Sequence, residues 1–250
     1  MDEINACISA LQTFLTMPYE ILISSNSCYS KDEQRDIKKN APLNVKWIFN
    51  AKNGGFAYAM NKGLKVARGE YSVIMNSDCL LTSPIDELLT FMDKHPDVGA
   101  VAPQMKDAEG IIQDTARPYV SLPRFFVRQM QRILFHKVCV MNPSMDYSRV
   151  QTVDWVIGAF VIVSRKAYEA THGLDDTFFM YAEDLDWCTR IRQKGLEVVY
   201  YPKIVITYKG TRRARKNAGY AKIFMKSHVA FWKKFGYFYG YPKRRKIFYD

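Results

Sequence analysis

Residues 71 to 78 read YSVIMNSD: Tyr71-Ser72-Val73-Ile74-Met75, then Asn76-Ser77-Asp78. Five residues rich in Val, Ile and aromatic character, closed by three polar ones, predict a strand buried on both faces with a carboxylate just past its end. In an α/β sheet, ligands bind beyond the carboxyl ends of the strands. A carboxylate placed there can reach a divalent cation that bridges two phosphates. Magnesium and manganese take oxygen ligands and keep substrate phosphates in their shell. An isolated Asn-x-Asp run is more often a turn cap, so the flanking segments carry the argument.

Upstream, Gly69 closes a segment from Gly54 to Ala67 whose apolar positions (Phe56, Ala59, Met60, Gly63, Leu64, Ala67) recur at helical spacing, with Asn53 as N-cap. Val45 to Phe49 reads as a short strand, and Tyr19 to Ser25 (YEILISS) as a buried one between Pro18 and Asn26-Ser27. Ile4 to Leu15 is helical in pattern. Downstream, Ile85 to His95 reads as a helix stopped by Pro96, and Val98 to Pro103 as a strand. Gln104 to Arg149 is polar, aromatic and punctuated by Pro, as expected of an insertion over a site. Val156 to Ser164 is a strand and Glu183 to Lys194 a helix ended by Gly195. Val198 to Tyr201 and Ile204 to Thr207 close the sheet. This alternation predicts a mostly parallel, Rossmann-like sheet flanked by helices.

Two further segments carry chemistry. Asn53-Gly54-Gly55-Phe56-Ala57, running to Asn61-Lys62-Gly63, places two glycines at a helix N-terminus. There the backbone lets a phosphate or sugar approach, and free N–H groups favour an anion; the plain alternative is a glycine turn. Phe178-Phe179-Met180-Tyr181-Ala182-Glu183-Asp184-Leu185-Asp186 leads aromatics into three acids. Acids in a first helical turn suit the helix dipole. One held in a partly apolar pocket has its pKa raised and can deprotonate a hydroxyl as general base. Asp184 is the candidate, with Glu183 supporting it.

The order N-G-G-F-A-x-A-x-N-x-G, a strand ending in N-x-D, D-W-V-I-G-A-F, and G-L-D-D-T-F-F-M-Y-A-E-D-L-D-W-C-x-R resembles glycosyltransferase family 2, in particular its bacterial rhamnosyltransferase-type branch. The resemblance covers nearly the whole chain up to Tyr208. It implies a GT-A fold, a nucleoside-diphosphate sugar donor, a Mg2+ or Mn2+ ion, a glycan or lipid-linked acceptor, a role in cell-surface polysaccharide synthesis and inversion at the anomeric carbon. On that pattern Asp78 is the metal ligand and Asp184 the base. Asn53, Gly54, Gly55, Asn61 and Asn76 lie along the donor, Gly158 and Ala159 line the sugar pocket, and Trp155 and Trp187 stack on a sugar or sit in the core.

Three positions depart from it. The family begins with a strand of the type V-S-V-I-I-V-T-Y-N, whereas this sequence opens on the helix that follows such a strand. Ser25-Asn26-Ser27 stands where an Asp normally reads the base. Thr207-Tyr208-Lys209 stands where a His often binds metal or phosphate, and Lys209 with Arg212 and Arg213 can offset diphosphate charge instead. The same departures fit a GT-A-like binding or scaffold protein that has lost its donor, which remains the rival expectation.

The net charge of +11 is concentrated at one end: thirteen Lys or Arg and one acid lie from Lys209 onward, leaving residues 1–208 at about −1. That predicts a GT-A domain over 1–208 and a basic, aromatic helical extension over 209–250. Such an extension either lies on an anionic leaflet, at roughly 1 kcal/mol per basic residue, or packs Phe224, Phe231 and Trp232 on the domain. Nucleic acid is not an expected partner. Five scattered cysteines and four histidines without ligand spacing argue for reduced thiols and against zinc. No signal peptide and no membrane-length apolar run is apparent. The expectation is a cytoplasmic protein, peripheral on the inner face of a membrane.

Overall fold

The computed structural model describes residues 2–135, 145–210, 218–236 and 246–249. The first half runs α1 (Asp2–Phe14), β1 (Ile21–Ser25), α2 (Lys31–Asn40), β2 (Val45–Phe49), α3 (Phe56–Leu64), β3 (Tyr71–Met75), β4 (Cys79–Leu81), α4 (Asp86–Lys94) and β5 (Val98–Lys106). The second runs β6 (Ala116–Arg117), α5 (Leu122–Phe135), β7 (Val150–Thr152), β8 (Trp155–Val156), β9 (Phe160–Ser164), α6 (Arg165–Thr171), α7 (Glu183–Gln193), β10 (Glu197–Tyr208), α8 (Ala218–Phe235) and β11 (Phe248–Tyr249).

The main sheet has seven strands in the order β11-β7-β10-β5-β9-β3, with β4 also on β10. It is mixed: β5 and β10 are parallel, while β3–β9, β5–β9, β7–β10 and β4–β10 are antiparallel. Its central strands are apolar on both faces because helices cover both. Side chains alternate accordingly: Val161, Val163, Val198 and Tyr200 enter one core with Leu185, Ile191 and Trp232. Phe160, Ile162, Val199 and Tyr201 enter the other with Ile85, Leu88 and Met92. Burying a Val, Ile or Phe this fully contributes about 1.5–3 kcal/mol.

Four expectations change. Val198 to Tyr201 and Ile204 to Thr207 form one strand, β10, with a register shift between Tyr201 and Val205 in place of a break, because one irregularity around Pro202 costs less than ending the ladder. Residues 104–106 of the expected insertion belong to β5. Helix α2 has no buried residue and so no apolar period to read; its signal is a capping box, in which Ser30 Oγ accepts from the Glu33 N–H and Glu33 Oε2 accepts from the Ser30 N–H. Finally, β1 and β2 form a separate parallel pair rather than joining the main sheet. As a result Val73, read as buried, is 40% exposed.

Part of the basic end packs on the domain. Phe231 and Trp232 of α8 are buried in the first core, and Trp232 Nε1 donates to Val120 O at 2.8 Å. Lys234 Nζ reaches Asp186 Oδ1 and Asp175 Oδ2, both at 2.6 Å. These aromatics therefore serve the core and not a lipid surface. β11 pairs with β7 at the sheet edge. Arg212, Arg213, Tyr237 to Tyr239 and Lys243 to Arg245 lie outside the described residues. The described cysteines, Cys7, Cys28, Cys79 and Cys188, are all free thiols.

Candidate active site

A cleft of about 1980 Å³ opens at the carboxyl ends of β1 and β3 and extends to α5 and α8. Of the residues singled out by sequence, Ser25, Asn26, Asn76, Asp78, Trp155, Gly158, Ala159, Glu183 and Asp184 line it. They come from four separate segments, brought together because β1, β3, the β8–β9 turn and the start of α7 all meet on this side of the fold.

Asp184 is held from two directions. Its Oδ2 accepts from the Gly158 N–H at 3.0 Å and its Oδ1 from the Leu185 N–H at 2.8 Å. Each oxygen keeps acceptor capacity for a substrate hydroxyl. Burial pushes the Asp184 carboxyl above its ordinary range, while those two N–H groups and the nearby Arg117 guanidinium work against the shift. Glu183, next to it, is pushed well above its ordinary range, first by burial and then by the Asp184 charge. Its Oε2 is buried without a hydrogen-bond partner. The two neighbours thus differ in kind: Asp184 has the contacts of a carboxylate, and Glu183 the surroundings of a neutral acid.

A strained turn aims this pair. Tyr181 and Ala182 both adopt left-handed backbone, φ 69° and 65°, at a cost on the order of 1–2 kcal/mol each. Glu183, Asp184 and Asp186 then occupy the first turn of α7, where the helix dipole favours negative charge. Asp186 points the other way and is fully buried, with Arg190 Nε at 2.7 Å and Lys234 at 2.6 Å.

Asn53, Gly54, Gly55, Asn61, Trp187 and Lys209 are not in the cleft wall. Gly55 has φ +92°, and a Cβ there would lie 2.0 Å from the Phe179 carbonyl oxygen, which accepts from the Phe56 N–H at 2.9 Å. The space left by the glycine is filled by the Phe178–Ala182 loop and not offered to a ligand. Gly54 is likewise closed over by the Tyr58 ring. Asn53 Oδ1 accepts from the Gly55 N–H at 3.1 Å, tying down this turn. Asn61 uses both ends of its amide on the Leu174 backbone, at 2.7 and 3.0 Å. Trp187 is buried and donates to Thr171 Oγ1 at 2.7 Å; the indole ring is core, as the plain alternative expected. The Lys209 N–H donates to Asp78 O at 3.3 Å, but its ammonium sits 3.9 Å from Glu3 Oε1 in solvent.

Sequence reasoning missed Arg117, and it named Tyr208 only as standing where a His is usual. Arg117 pairs with Asp114 at 3.0 Å and lies over the Trp155 ring, 5.1 Å from its centroid. Its only sequence signal was an Arg in a polar insertion, which is weak. The Tyr208 phenol is pushed up to about 12 by burial first, with the Asp78 and Asp184 charges adding to the rise. Tyr208 therefore stands within electrostatic reach of both carboxylates.

Among the described residues no three His, Cys, Asp or Glu are grouped as a cage. Asp78, just past the end of β3 in the cleft wall, suits a hard cation whose other ligands are water and substrate phosphate, the usual habit of Mg2+, and does not suit zinc.

Comparison with known proteins places this geometry among relatives. Residues 2–189 match the family model described as Glycosyl transferase family 2. N-acetylglucosaminyl-diphospho-decaprenol L-rhamnosyltransferase of Mycobacterium tuberculosis is 24% identical over 245 residues, covering 90% of this chain and 78% of that protein. Rhamnosyltransferase WbbL of Escherichia coli is 27% identical over 154 residues, 60% of this chain and 56% of that one. Among solved structures, GalNAc-T7 with UDP, GalNAc and Mn2+ superposes with TM-score 0.61 at 12% identity, over 90% of this chain and 44% of that chain. The Pyrobaculum calidifontis mannosyltransferase PcManGT with GDP-Man and Mn2+ gives 0.54 at 19% identity, over 85% and 54%. Both share the GT-A-like fold.

Proposed function

Because this chain belongs to glycosyltransferase family 2, we propose that it moves a sugar from a nucleoside-diphosphate donor to a hydroxyl of a glycan or lipid-linked acceptor, with inversion, in the synthesis of a surface polysaccharide. The observation that carries the reading is Asp184, fixed by the Gly158 N–H and facing the same cleft as Asp78.

Asp184 takes the proton of the acceptor hydroxyl as that oxygen attacks the anomeric carbon from the face opposite the diphosphate. The bond from the anomeric carbon to the diphosphate oxygen breaks, and its electrons leave with the nucleoside diphosphate. Asp78 would hold the Mg2+ or Mn2+ ion that neutralises this leaving group. Arg117 adds a positive charge at the same wall, and Trp155, braced by Arg117 and donating Nε1–H to Pro118 O at 2.9 Å, offers a flat apolar edge to a sugar. Glu183, whose carboxyl burial pushes well above its ordinary range, supports the turn beside the base.

The acceptor end of the cleft lies at Phe125, Val127, Phe224 and Met225. Next to it Phe126, Val127 and Met130 of α5 stand 52–58% exposed. Apolar side chains at the mouth of a polar site suit a lipid-linked acceptor at a membrane surface. Among the described residues no helix is long and apolar enough to cross a membrane, so contact would be peripheral.

The test measures release of nucleoside diphosphate and donor affinity in wild type, Asp184→Asn and Asp78→Ala. Asp184→Asn is expected to lose transfer about 10²–10⁴-fold with donor affinity kept, and Asp78→Ala to lose metal-dependent donor binding. Unchanged transfer in both variants would reject the assignment.

A further inference from the structure

The turn that carries Asp184 has no side-chain cap of its own. Ala182 is the N-cap of α7 and offers no acceptor to the first N–H groups of that helix. Ala182 and Tyr181 before it are both left-handed without being glycine. Backbone of that kind persists only where the surrounding contacts over-determine it. On the upstream side the Phe179 carbonyl accepts from the Phe56 N–H at 2.9 Å. The contact that follows comes from a helix far along the chain.

Helix α8 lays one stripe on this turn. Ser227 Oγ donates to the Met180 carbonyl oxygen at 2.8 Å, and the Phe224 and Tyr181 rings meet edge to face with centroids 5.5 Å apart. Lys234 holds both ends of the segment, on Asp175 and Asp186. Phe224, Ser227, Phe231 and Lys234 recur at helical spacing and so share one face of α8. An ion pair and a ring contact would dock any helix. Ser227 differs in kind. A serine inside a helix ordinarily faces water or turns its hydroxyl back to the carbonyl four residues earlier. Ser227 is buried and spends its hydroxyl on another segment, at the carbonyl that leads into the left-handed pair. Its neighbours Phe224, Met225 and His228 are in the cleft wall and Ser227 is not, so it reaches the reaction through the turn.

We propose that Ser227 is a positioning residue for transfer: by holding Met180 it fixes the left-handed turn, and with it the place of the Asp184 carboxylate. This rests on the reading of Asp184 as the base. The residues that match the family end at 189, before α8 begins, so the support comes from outside the matched span. The bond from the Gly158 N–H to Asp184 Oδ2, 3.0 Å long, reports where the carboxylate stands without any turnover.

The test compares wild type, Ser227→Ala, Ser227→Thr and Trp232→Phe. Nucleoside-diphosphate release is measured from UDP-, GDP- and dTDP-sugars with a short-chain glycosyl-diphospholipid acceptor, and the donor that wild type turns over fastest is used throughout. Ser227→Ala is expected to lower kcat about 10- to 100-fold, because small misplacements of a reacting group are that costly, with donor KM unchanged. Amide hydrogen exchange at Gly158 should rise at least about fivefold as its acceptor moves off. Ser227→Thr keeps the hydroxyl and should recover most of the rate and the slow exchange. Trp232→Phe deletes a different α8 contact, from Nε1 to Val120 O. It should lower Tm at least as far as Ser227→Ala while leaving kcat and Gly158 exchange near wild type. Wild-type kcat in Ser227→Ala, no recovery with threonine, an equal fall in Trp232→Phe, or unchanged exchange at Gly158 would overturn the proposal. If wild type transfers no sugar, the glycosyltransferase reading fails instead, and exchange at Gly158 in Ser227→Ala still decides whether Ser227 sets the carboxylate.

Discussion

Glu183 and Gly55 show how much of the site is set by single residues. Glu183 is buried and its folded pKa lies above the ordinary value. The fold therefore favours its protonated form, so its contribution to stability is full below the unfolded pKa and is lost as pH rises through the folded one. Glu183→Gln keeps the shape without the charge. It should raise Tm more at pH 8 than at pH 5 in matched thermal melts, with roughly 2–4 °C for each kcal/mol in a chain of this size. An equal gain at both pH values would mean that Glu183 does not titrate this way. Gly55 sits at φ +92° against the Phe179 carbonyl. Gly55→Ala should cost about 1–3 kcal/mol through backbone conformation alone, read as a lower Tm, and should also displace the loop that aims Asp184. Here the sequence was partly legible: the acids ahead of α7 pointed to Asp184, but the glycine pair pointed to a ligand where the structure has the protein's own backbone.

At the scale of elements, α7 and α8 are tied through charges that the sequence separates by about fifty residues. Asp186 is fully buried and is held by Arg190 from its own helix and by Lys234 from α8, and Lys234 also reaches Asp175, whose carboxyl is held down at about 2. Asp175 has two opposed influences: burial would raise it, while Lys234 and Thr177 lower it further. Lys234→Met removes one of two partners from a buried carboxylate. Breaking a buried pair outright costs about 3–5 kcal/mol, and with Arg190 left in place we expect a smaller loss, roughly 1–3 kcal/mol. Urea unfolding measures it, and limited proteolysis should then cut first within α8. A change below about 0.5 kcal/mol would show that solvent replaces the ammonium without penalty. No periodicity could have revealed this tie, because the pairing depends on where α8 lands on the domain. By contrast β3, β5, α4 and α7 were readable, since each carries its own period and its own stop.

For the whole molecule, the question is what the domain presents to its surroundings. The basic aromatic end divides: Phe231 and Trp232 are core, while Phe126, Val127 and Met130 on α5 and Met225 on α8 are exposed apolar side chains. If that face meets a membrane, Phe126→Ser with Met130→Ser should lower flotation with anionic vesicles at least tenfold, since burying each such side chain is worth about 1.5–3 kcal/mol. Transfer to a short water-soluble acceptor should be retained. Equal flotation would place the contact elsewhere. The sequence by itself determined the α/β class, the site edge at Asn76–Asp78 and the acids of α7. Those rest on local causes: apolar runs, helix stops and the ordering of motifs along the chain. Tertiary structure alone decided that Asp184 is gripped by Gly158, that Trp187 and Asn61 are structural, and that Arg117 enters the site. Each is a contact between distant segments, fixed by how the sheets and helices pack, and packing leaves no period in the sequence to read.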